Sequence, residues 1–371
     1  MGTYTLLTDG RAAMSEILRL CGAAKSRIEI NMFIWRDDEA GSMLASALLA
    51  AADRGVNVSI SKDRFGGVFE LAEESGLSFW NDEADPVLNA VSAVLKTAMP
   101  PEKRRARAEC KTNGLAVKLR AHPNVCLDVG RFKFDHTKFC IFDDETLLFG
   151  GINIEDKEIT QDASGVEYHD FMIEAVSPEA VRLFRSRLSC PQYPERCREI
   201  DFIFNSFSSG RQISGMLPFY LNFIAEAESS LDIIMPYIGD RRINTALAAA
   251  ASRGVKVNII MPAQANMQHD LNMLAAQRLF RHSGGGIRVW LSPRMCHAKL
   301  MISDGRTVTL GSANLNRDGT ARGWQLNCVT EQPCIVEAVK LDFENELKNC
   351  MFCTDFRFSA IKAYIEDVLQ G

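Results

Sequence analysis

Two short segments carry residue types that can act together on phosphorus. His136-Thr-Lys138-Phe-Cys-Ile-Phe-Asp143 is answered by His297-Ala-Lys299-Leu-Met-Ile-Ser-Asp304, and Gly150-Gly-Ile-Asn153 by Gly311-Ser-Ala-Asn314. Positions 136 and 297, 138 and 299, 143 and 304, and 153 and 314 are each 161 residues apart. A lone His and Lys two apart on a strand is ordinarily a solvated edge. Here only 6 histidines are present, and two of them stand in the same context at the same offset, which sets that reading aside. Two imidazoles and two ammonium groups suit a phosphodiester. One neutral imidazole attacks phosphorus and forms a covalent phosphohistidine, while the other, protonated, gives its proton to the leaving alkoxide. Lys138 and Lys299 stabilise the charge growing on the non-bridging oxygens, and the amides of Asn153 and Asn314 donate to the same oxygens. The ammonium groups supply the charge a metal ion would bring, and one histidine per strand is not ligand spacing, so neither metal nor cofactor is called for. By symmetry the residues leave open which imidazole is the nucleophile.

These side chains need elements to hold them. Each motif reads as a strand with its His and Lys at the start, on one side of the pleat. Asp143-Asp-Glu-Thr and Asp304-Gly read as the hairpin turns that follow, so Asp143 and Asp304 are expected to order the motif. Upstream, residues 26–60 and 229–260 each run through an apolar segment, a polar turn, an Ala/Leu-rich helix, Arg-Gly-Val and a second apolar segment. That is a βαβ unit with parallel strands, its helix closed by a left-handed glycine, Gly55 or Gly254. Arg54 and Arg253 are 199 apart, so the first half carries about 38 more residues before its motif. The expected fold is α/β, two fused repeats that are each a mixed β-sheet flanked by helices. The first half would span residues 1–190, with an extra segment at about 66–131. Residues 191–215, where Cys190-Pro-Gln-Tyr-Pro194 and Ser206-Phe-Ser-Ser-Gly210 supply breakers, read as the linker, and 216–371 as the second half.

Composition narrows the setting. The chain has 371 residues, 47% hydrophobic, 24% charged and 8% aromatic, which fits a globular protein of two domains. Its 42 Lys and Arg against 47 Asp and Glu disfavour nucleic acid as the partner. No apolar run reaches the roughly 18 residues that cross a bilayer, and no secretory signal opens the sequence. Eleven cysteines without regular spacing suit a reducing cytoplasm. Cys350-Met-Phe-Cys353 lacks a second pair and a nearby histidine, so it is read as neither zinc site nor redox pair. After Asp85-Pro86, the residues Val87, Leu88, Val91, Val94, Leu95 and Ala98 share one helical face, and Pro100-Pro101 ends that helix. Lys103, Arg104, Arg105 and Arg107 follow. A helix packed on its own domain beside a solvated charge run is the plainer reading. The functional one is contact with an anionic membrane, at about 1 kcal/mol per cation.

The duplicated His-x-Lys-x-x-x-x-Asp motif, each copy followed by Gly-Gly-x-Asn or Gly-Ser-x-Asn, resembles the phospholipase D superfamily. The Gly150-Gly-Ile-Asn153 form, the Phe33-Ile-Trp-Arg-Asp37 segment and Pro236-Tyr237 are most similar to bacterial cardiolipin synthases, and the likeness covers roughly residues 5–345. It implies two α/β halves packed as a pseudo-dimer with one shared active site, with His136 as nucleophile and His297 as acid. It further implies a phosphatidyltransferase acting on phosphatidylglycerol, with phosphatidylethanolamine as a second substrate, peripheral on the inner face of the cell membrane. A hydrolase or nuclease of the same superfamily and a non-catalytic lipid-binding scaffold are the alternatives. Family members place a carboxylate beyond each motif to hold the partner imidazole. Asp170 supplies it in the first half, whereas Gln325 stands there in the second. His169 is read as part of a structural strand face. Cardiolipin synthases typically add transmembrane helices, so the likeness is to shorter members without them.

Overall fold

A computed structural model of the chain describes residues 2–72, 78–80, 86–98, 113–162, 164–195, 197–208 and 211–369. After β1 (Thr3–Thr8) and α1 (Asp9–Ala23), the alternating Ile28, Ile30 and Met32 form β2 (Arg27–Met32). The Ala/Leu segment forms α2 (Glu39–Asp53), capped by the Asp38 carboxylate accepting from Gly41 N, and β3 (Asn57–Lys62) follows parallel to β2. Leu44, Leu48 and Ala51 of α2 are buried with Ile28, Ile30 and Val58 of the sheet, each leucine contributing about 2 kcal/mol. The second βαβ repeats this plan with β11 (Ser230–Ile234), α9 (Arg241–Ser252) and β12 (Lys256–Pro262), where Asp240 caps the helix through Arg242 N. Gly55 and Gly254 take φ of +93° and +97°, the left-handed helix ends the spacing calls for.

The chain divides into two units, residues 1–3 with 7–181 and residues 4–6 with 182–371. In the first, α3 (Gly66–Ala72), α4 (Pro86–Ala98), α5 (Gly114–Ala121) and β4 (Val125–Asp128) follow β3. Then come β5 (Phe139–Phe142), β6 (Thr146–Gly150), α6 (Asp156–Ile159), the two-residue β7 (Tyr168–His169), β8 (Phe171–Val176) and α7 (Pro178–Ser189). The sheet runs β1-β8-β6-β5-β2-β3-β4, with β2, β3 and β4 parallel and β2, β5, β6 and β8 antiparallel in sequence.

The second unit holds β9 (Ile200–Ser208), β10 (Arg211–Ser214) and α8 (Met216–Glu226) before its βαβ. After it come α10 (His269–His282), β13 (Ile287–Ser292), the short β14 (Met295–Cys296), β15 (Leu300–Ser303) and β16 (Thr307–Gly311). The chain finishes with α11 (Arg317–Ala321), β17 (Gln325–Thr330), α12 (Pro333–Asn349), β18 (Met351–Phe352) and α13 (Ala360–Leu369). The sheet order is β10-β9-β17-β16-β15-β11-β12-β13-β18, so its central strands repeat β8-β6-β5-β2-β3-β4 strand for strand. Each unit is therefore the expected mixed sheet with helices, with a hydrophobic core of its own.

Three details differ from the sequence reading. First, α5 and β4 match α10 and β13, because β4 is the third parallel strand that β13 supplies in the other sheet. What the first half adds thus narrows to the stretch from α3 to α5. Second, residues 191–215 carry the antiparallel pair β9 and β10. Ile200, Phe202 and Phe204 alternate inward while the backbone of β9 pairs with β17, so the expected linker is part of the second sheet. Third, the apolar face of α4 splits. Leu88 is buried over Gly67 of α3, while Val87 and Val91 are exposed; the side chains of Val94, Leu95 and Ala98 lie outside the described residues.

Asp143 and Asp304 stand at the far ends of β5 and β15 from the histidines. Asp143 accepts from the amides of Lys25, Ser26 and Arg27 at 2.8–3.2 Å and from the Ser26 hydroxyl at 2.9 Å. Asp304 does the same with Glu228, Ser229 and Ser230. Both clasp the start of the neighbouring strand, β2 or β11, to the turn, and both take positive φ, +52° and +53°. Partial burial pushes each carboxyl up, but the amide hydrogen bonds outweigh it and hold both at about 2, below the ordinary 3.8. A depressed folded-state pKa means the stabilisation is complete above about pH 4 and lost as pH falls through 2. Asp143→Asn is expected to lower stability at pH 7 by about 1 kcal/mol, allowing for solvent screening of an exposed group. The gap between variant and wild type should narrow as pH falls below about 4 and close only below about pH 2, as read by thermal unfolding across pH.

Candidate active site

His136 and Lys138, and His297 and Lys299, lie just ahead of β5 and β15 rather than in them. The backbone leaves the regular ladder there because its polar groups are taken by side chains. Lys138 Nζ donates to the carbonyl of His136 at 2.7 Å, and Asn31 Nδ2 donates to the Thr137 carbonyl and hydroxyl at 3.0 and 2.8 Å. Thr137 in turn donates through its amide and hydroxyl to Asp135. Lys299 Nζ likewise donates to the His297 carbonyl, and it also lies 3.0 Å from His297 Nδ1. The two lysines are 0% and 1% exposed. Phe33, just past β2, floors the first couple. Its ring centroid is 4.7 Å from that of His136 at 70°, and Lys138 Nζ lies 5.2 Å from it. In each half the imidazole and ammonium thus share one small region. At His297 the Nδ1 edge faces a cation, which leaves Nε2 as the nitrogen for substrate.

The loops after β6 and β16 bring in the asparagines. Asn153 and Asn314 are both buried, and the Oδ1 of each has no hydrogen-bond partner among the described residues. A buried, unsatisfied amide oxygen costs about 1–3 kcal/mol, so it marks a place where the fold keeps polar capacity in reserve. The first loop is tied to the end of β2 through Ile154, whose carbonyl accepts from Arg36 N and whose amide donates to Ile34. A buried ionic cluster backs it. Arg36 Nε meets Glu155 Oε2 at 2.6 Å, Lys157 meets the same oxygen at 3.3 Å, and Lys62 meets Glu70 at 3.0 Å. The second loop is tied through the Leu315 carbonyl to Gly239 N and Asp240 N, with Asn316 in place of Glu155.

The carboxylate and its substitute differ in an instructive way. Asp170 is buried against Gly151, where an added β-carbon would fall on its carboxylate, and its Oδ1 accepts from Phe171 N at 2.8 Å. In the second half Ser312 stands where Gly151 would be. Its hydroxyl accepts from Leu326 N at 3.0 Å and donates to Gln325 Oε1 at 2.9 Å. The Ser312 hydroxyl therefore meets the amide that the carboxylate meets in the first half, and it fixes which end of the Gln325 amide is the acceptor. The constant offset of 161 pairs Ser312 with Gly151 directly, so this role was detectable in the sequence and was missed. Phe33 stood in the segment that carried the family likeness, without a role.

The remaining expectations fall elsewhere. Lys103, Arg104, Arg105 and Arg107 lie outside the described residues. His169 is buried with its ring 2.7 Å from Asp9 Oδ1 and edge-on to Phe171. His122, His269 and His282 sit at the ends of α5 and α10. Cys350 and Cys353 flank β18, and burial pushes the Cys350 thiol up to about 12, far from a reactive thiolate. Among the described residues no helix is long and apolar enough to cross a membrane.

A duplicated sheet that carries a His–Lys couple and a following asparagine in each copy defines an enzyme of the phospholipase D superfamily. The chain belongs to the cardiolipin synthase, phospholipase D-like domain family, whose model matches residues 17–188 and again 220–347. Cardiolipin synthase 1 of Bacillus cereus is 23% identical over 94% of this chain and 67% of its own length. Cardiolipin synthase A of Pseudomonas syringae is 24% identical over 95% and 68%. Among solved structures, a phosphatidylserine synthase of Haemophilus influenzae shares the fold with a TM-score of 0.66 at 14% identity, over 95% of this chain and 88% of that one. A polyphosphate kinase of Porphyromonas gingivalis gives 0.60 at 14%, over 99% and 53%.

The Ser312 contacts make a specific prediction. Ser312→Ala removes the acceptor of a buried amide and is expected to cost about 1–2 kcal/mol in denaturant unfolding. Gly151→Ala, which drives the Asp170 carboxylate from its place, is expected to cost at least as much.

Proposed function

We propose that the chain is a phosphatidyltransferase of the cardiolipin synthase type, working through a covalent phosphohistidine. The observation that carries this reading is the same buried arrangement twice over, an ammonium held on the carbonyl of a histidine two residues earlier, in a chain of this family. His136 Nε2 attacks the phosphorus of phosphatidylglycerol. A phosphorus–nitrogen bond forms, the bond to the glycerol oxygen breaks, and the His297 imidazolium gives that oxygen its proton. The Lys138 and Lys299 ammonium groups turn to the non-bridging oxygens, where Asn153 and Asn314 also donate. In the second step the hydroxyl of another phosphatidylglycerol attacks the same phosphorus, His297 takes its proton, and the phosphorus–nitrogen bond breaks to give the diphosphatidyl product. Both couples act on one phosphorus in this scheme. Asp170 and Gln325 are the residues that orient the imidazoles, and an amide in place of a carboxylate tunes the rate without abolishing it.

The setting follows from the same reading. The substrate is a phospholipid, phosphatidylglycerol first and phosphatidylethanolamine as a second donor. The enzyme works peripherally at the inner face of the cell membrane, and the basic run 103–107 meets anionic headgroups there. The acidic charge balance and the names of the relatives favour lipid over nucleic acid.

Incubation of the purified protein with phosphatidylglycerol vesicles is expected to give cardiolipin and free glycerol. Phosphatidic acid alone would mean hydrolysis instead. Alkaline denaturing quench, which preserves the acid-labile phosphorus–nitrogen bond, should trap a phosphatidyl group on the wild type. His136→Ala should leave no adduct and lower turnover by about a thousandfold or more, while His297→Ala should accumulate adduct from an activated phosphodiester. An adduct in His136→Ala would reverse the two roles, and none in any form would mean a lipid-binding scaffold.

A further inference from the structure

The last helix, α13, turns its polar side inward. The Glu366 carboxylate accepts from Leu271 N, in the first turn of α10, at 2.7 Å. Asp367 pairs with Arg241 at 3.3 Å and Arg317 at 3.9 Å, and Ser359, just ahead of the helix, donates its amide to Asp270. Ala363 is the helix's buried residue. Outward stand Ile361, Tyr364, Ile365 and Val368, at i, i+3, i+4 and i+7, with Leu369 beside them. All are exposed, Ile361 at 74% and Tyr364 at 69%. Ordinary amphipathic helices do the reverse, and a continuous outward apolar stripe marks a surface that something covers.

We propose that this face of α13 docks the protein on an anionic phospholipid bilayer, with the helix lying in the headgroup plane. The inference deepens the function proposed above and rests on it for the choice of occupant. Charge favours lipid over a second apolar protein surface. Both acidic residues of α13 point inward and are held there, Asp367 by Arg241, so the uncompensated charge at the border of the stripe is the exposed Lys362. A stripe of isoleucine, valine and leucine carrying a tyrosine, bordered by a lysine, is the pattern of an interfacial helix. Such a helix enters the headgroup region while its lysine reaches anionic phosphate. This face requires nothing of the basic run at 103–107.

The test is flotation of the full chain with vesicles of phosphatidylglycerol and phosphatidylethanolamine, against vesicles of phosphatidylcholine alone. Wild type is expected to float with the first and far less with the second. Ile361→Glu combined with Ile365→Glu should lower the bound fraction at least tenfold with an unchanged thermal melt, since both side chains are exposed. The milder Ile365→Ser should lie between, and Lys362→Glu should weaken binding to anionic vesicles only. Equal flotation of wild type and the double variant, or no flotation of wild type, would overturn the proposal. So would a wild-type dimer in sedimentation velocity that the double variant dissolves, which would assign the face to a second copy. Turnover of a monomeric short-chain phosphatidylglycerol, measured alongside, reports on the two motifs without requiring a bilayer. Its absence in wild type would sink the proposed chemistry and leave the flotation result standing.

Discussion

An ammonium group inside a protein must be held by acceptors, because removing it from water costs several kcal/mol. Lys138 and Lys299 meet that demand with the carbonyl of the histidine two residues earlier. In both halves the regular strand, β5 or β15, begins one residue after the lysine. The hydrogen bond fixes the histidine, since the residue whose carbonyl is taken cannot slide along the ladder. The carbonyl hydrogen bond thus keeps each ammonium close to the backbone of its own histidine. That leaves the surrounding sheet only the task of keeping the loop in place.

Each half performs that task with the same parts. An aspartate at the other end of the strand gathers three successive amides from the start of its antiparallel neighbour, so the strand is pinned at both ends. The loop carrying the asparagine is bridged to the segment after that neighbour. The halves part company in what lies behind the loop. The first uses charged groups, with Arg36 and Lys157 on Glu155, whereas the second uses the neutral Asn316, whose side chain accepts from Gly319 N. Buried charge rewards geometry and punishes its loss, so the first loop is the more rigidly specified of the two.

Much of this was legible from the residues. The common offset revealed the duplication, and the helix-ending glycines marked both βαβ units, because those signals are local and repeated. What failed to show was set by tertiary packing. Residues 200–204 alternate like a strand, but their breaker-rich flanks read as a linker, and only β17 shows what they pair with. On α4 the periodicity gave one face, but Leu88 is covered by α3 while Val87 and Val91 are exposed. The exchange of Asp170 and Gly151 for Gln325 and Ser312 was half visible, as a missing acid without the hydroxyl that goes with it.

That exchange limits how the two copies could have drifted apart. Serine beside aspartate would force the carboxylate to move, because a β-carbon at the glycine position falls on it. Glycine with glutamine is sterically open but leaves a buried amide without its acceptor. Exchanging the two pairs one residue at a time therefore passes through either a displaced carboxylate or an amide short of its acceptor, so the two positions are coupled.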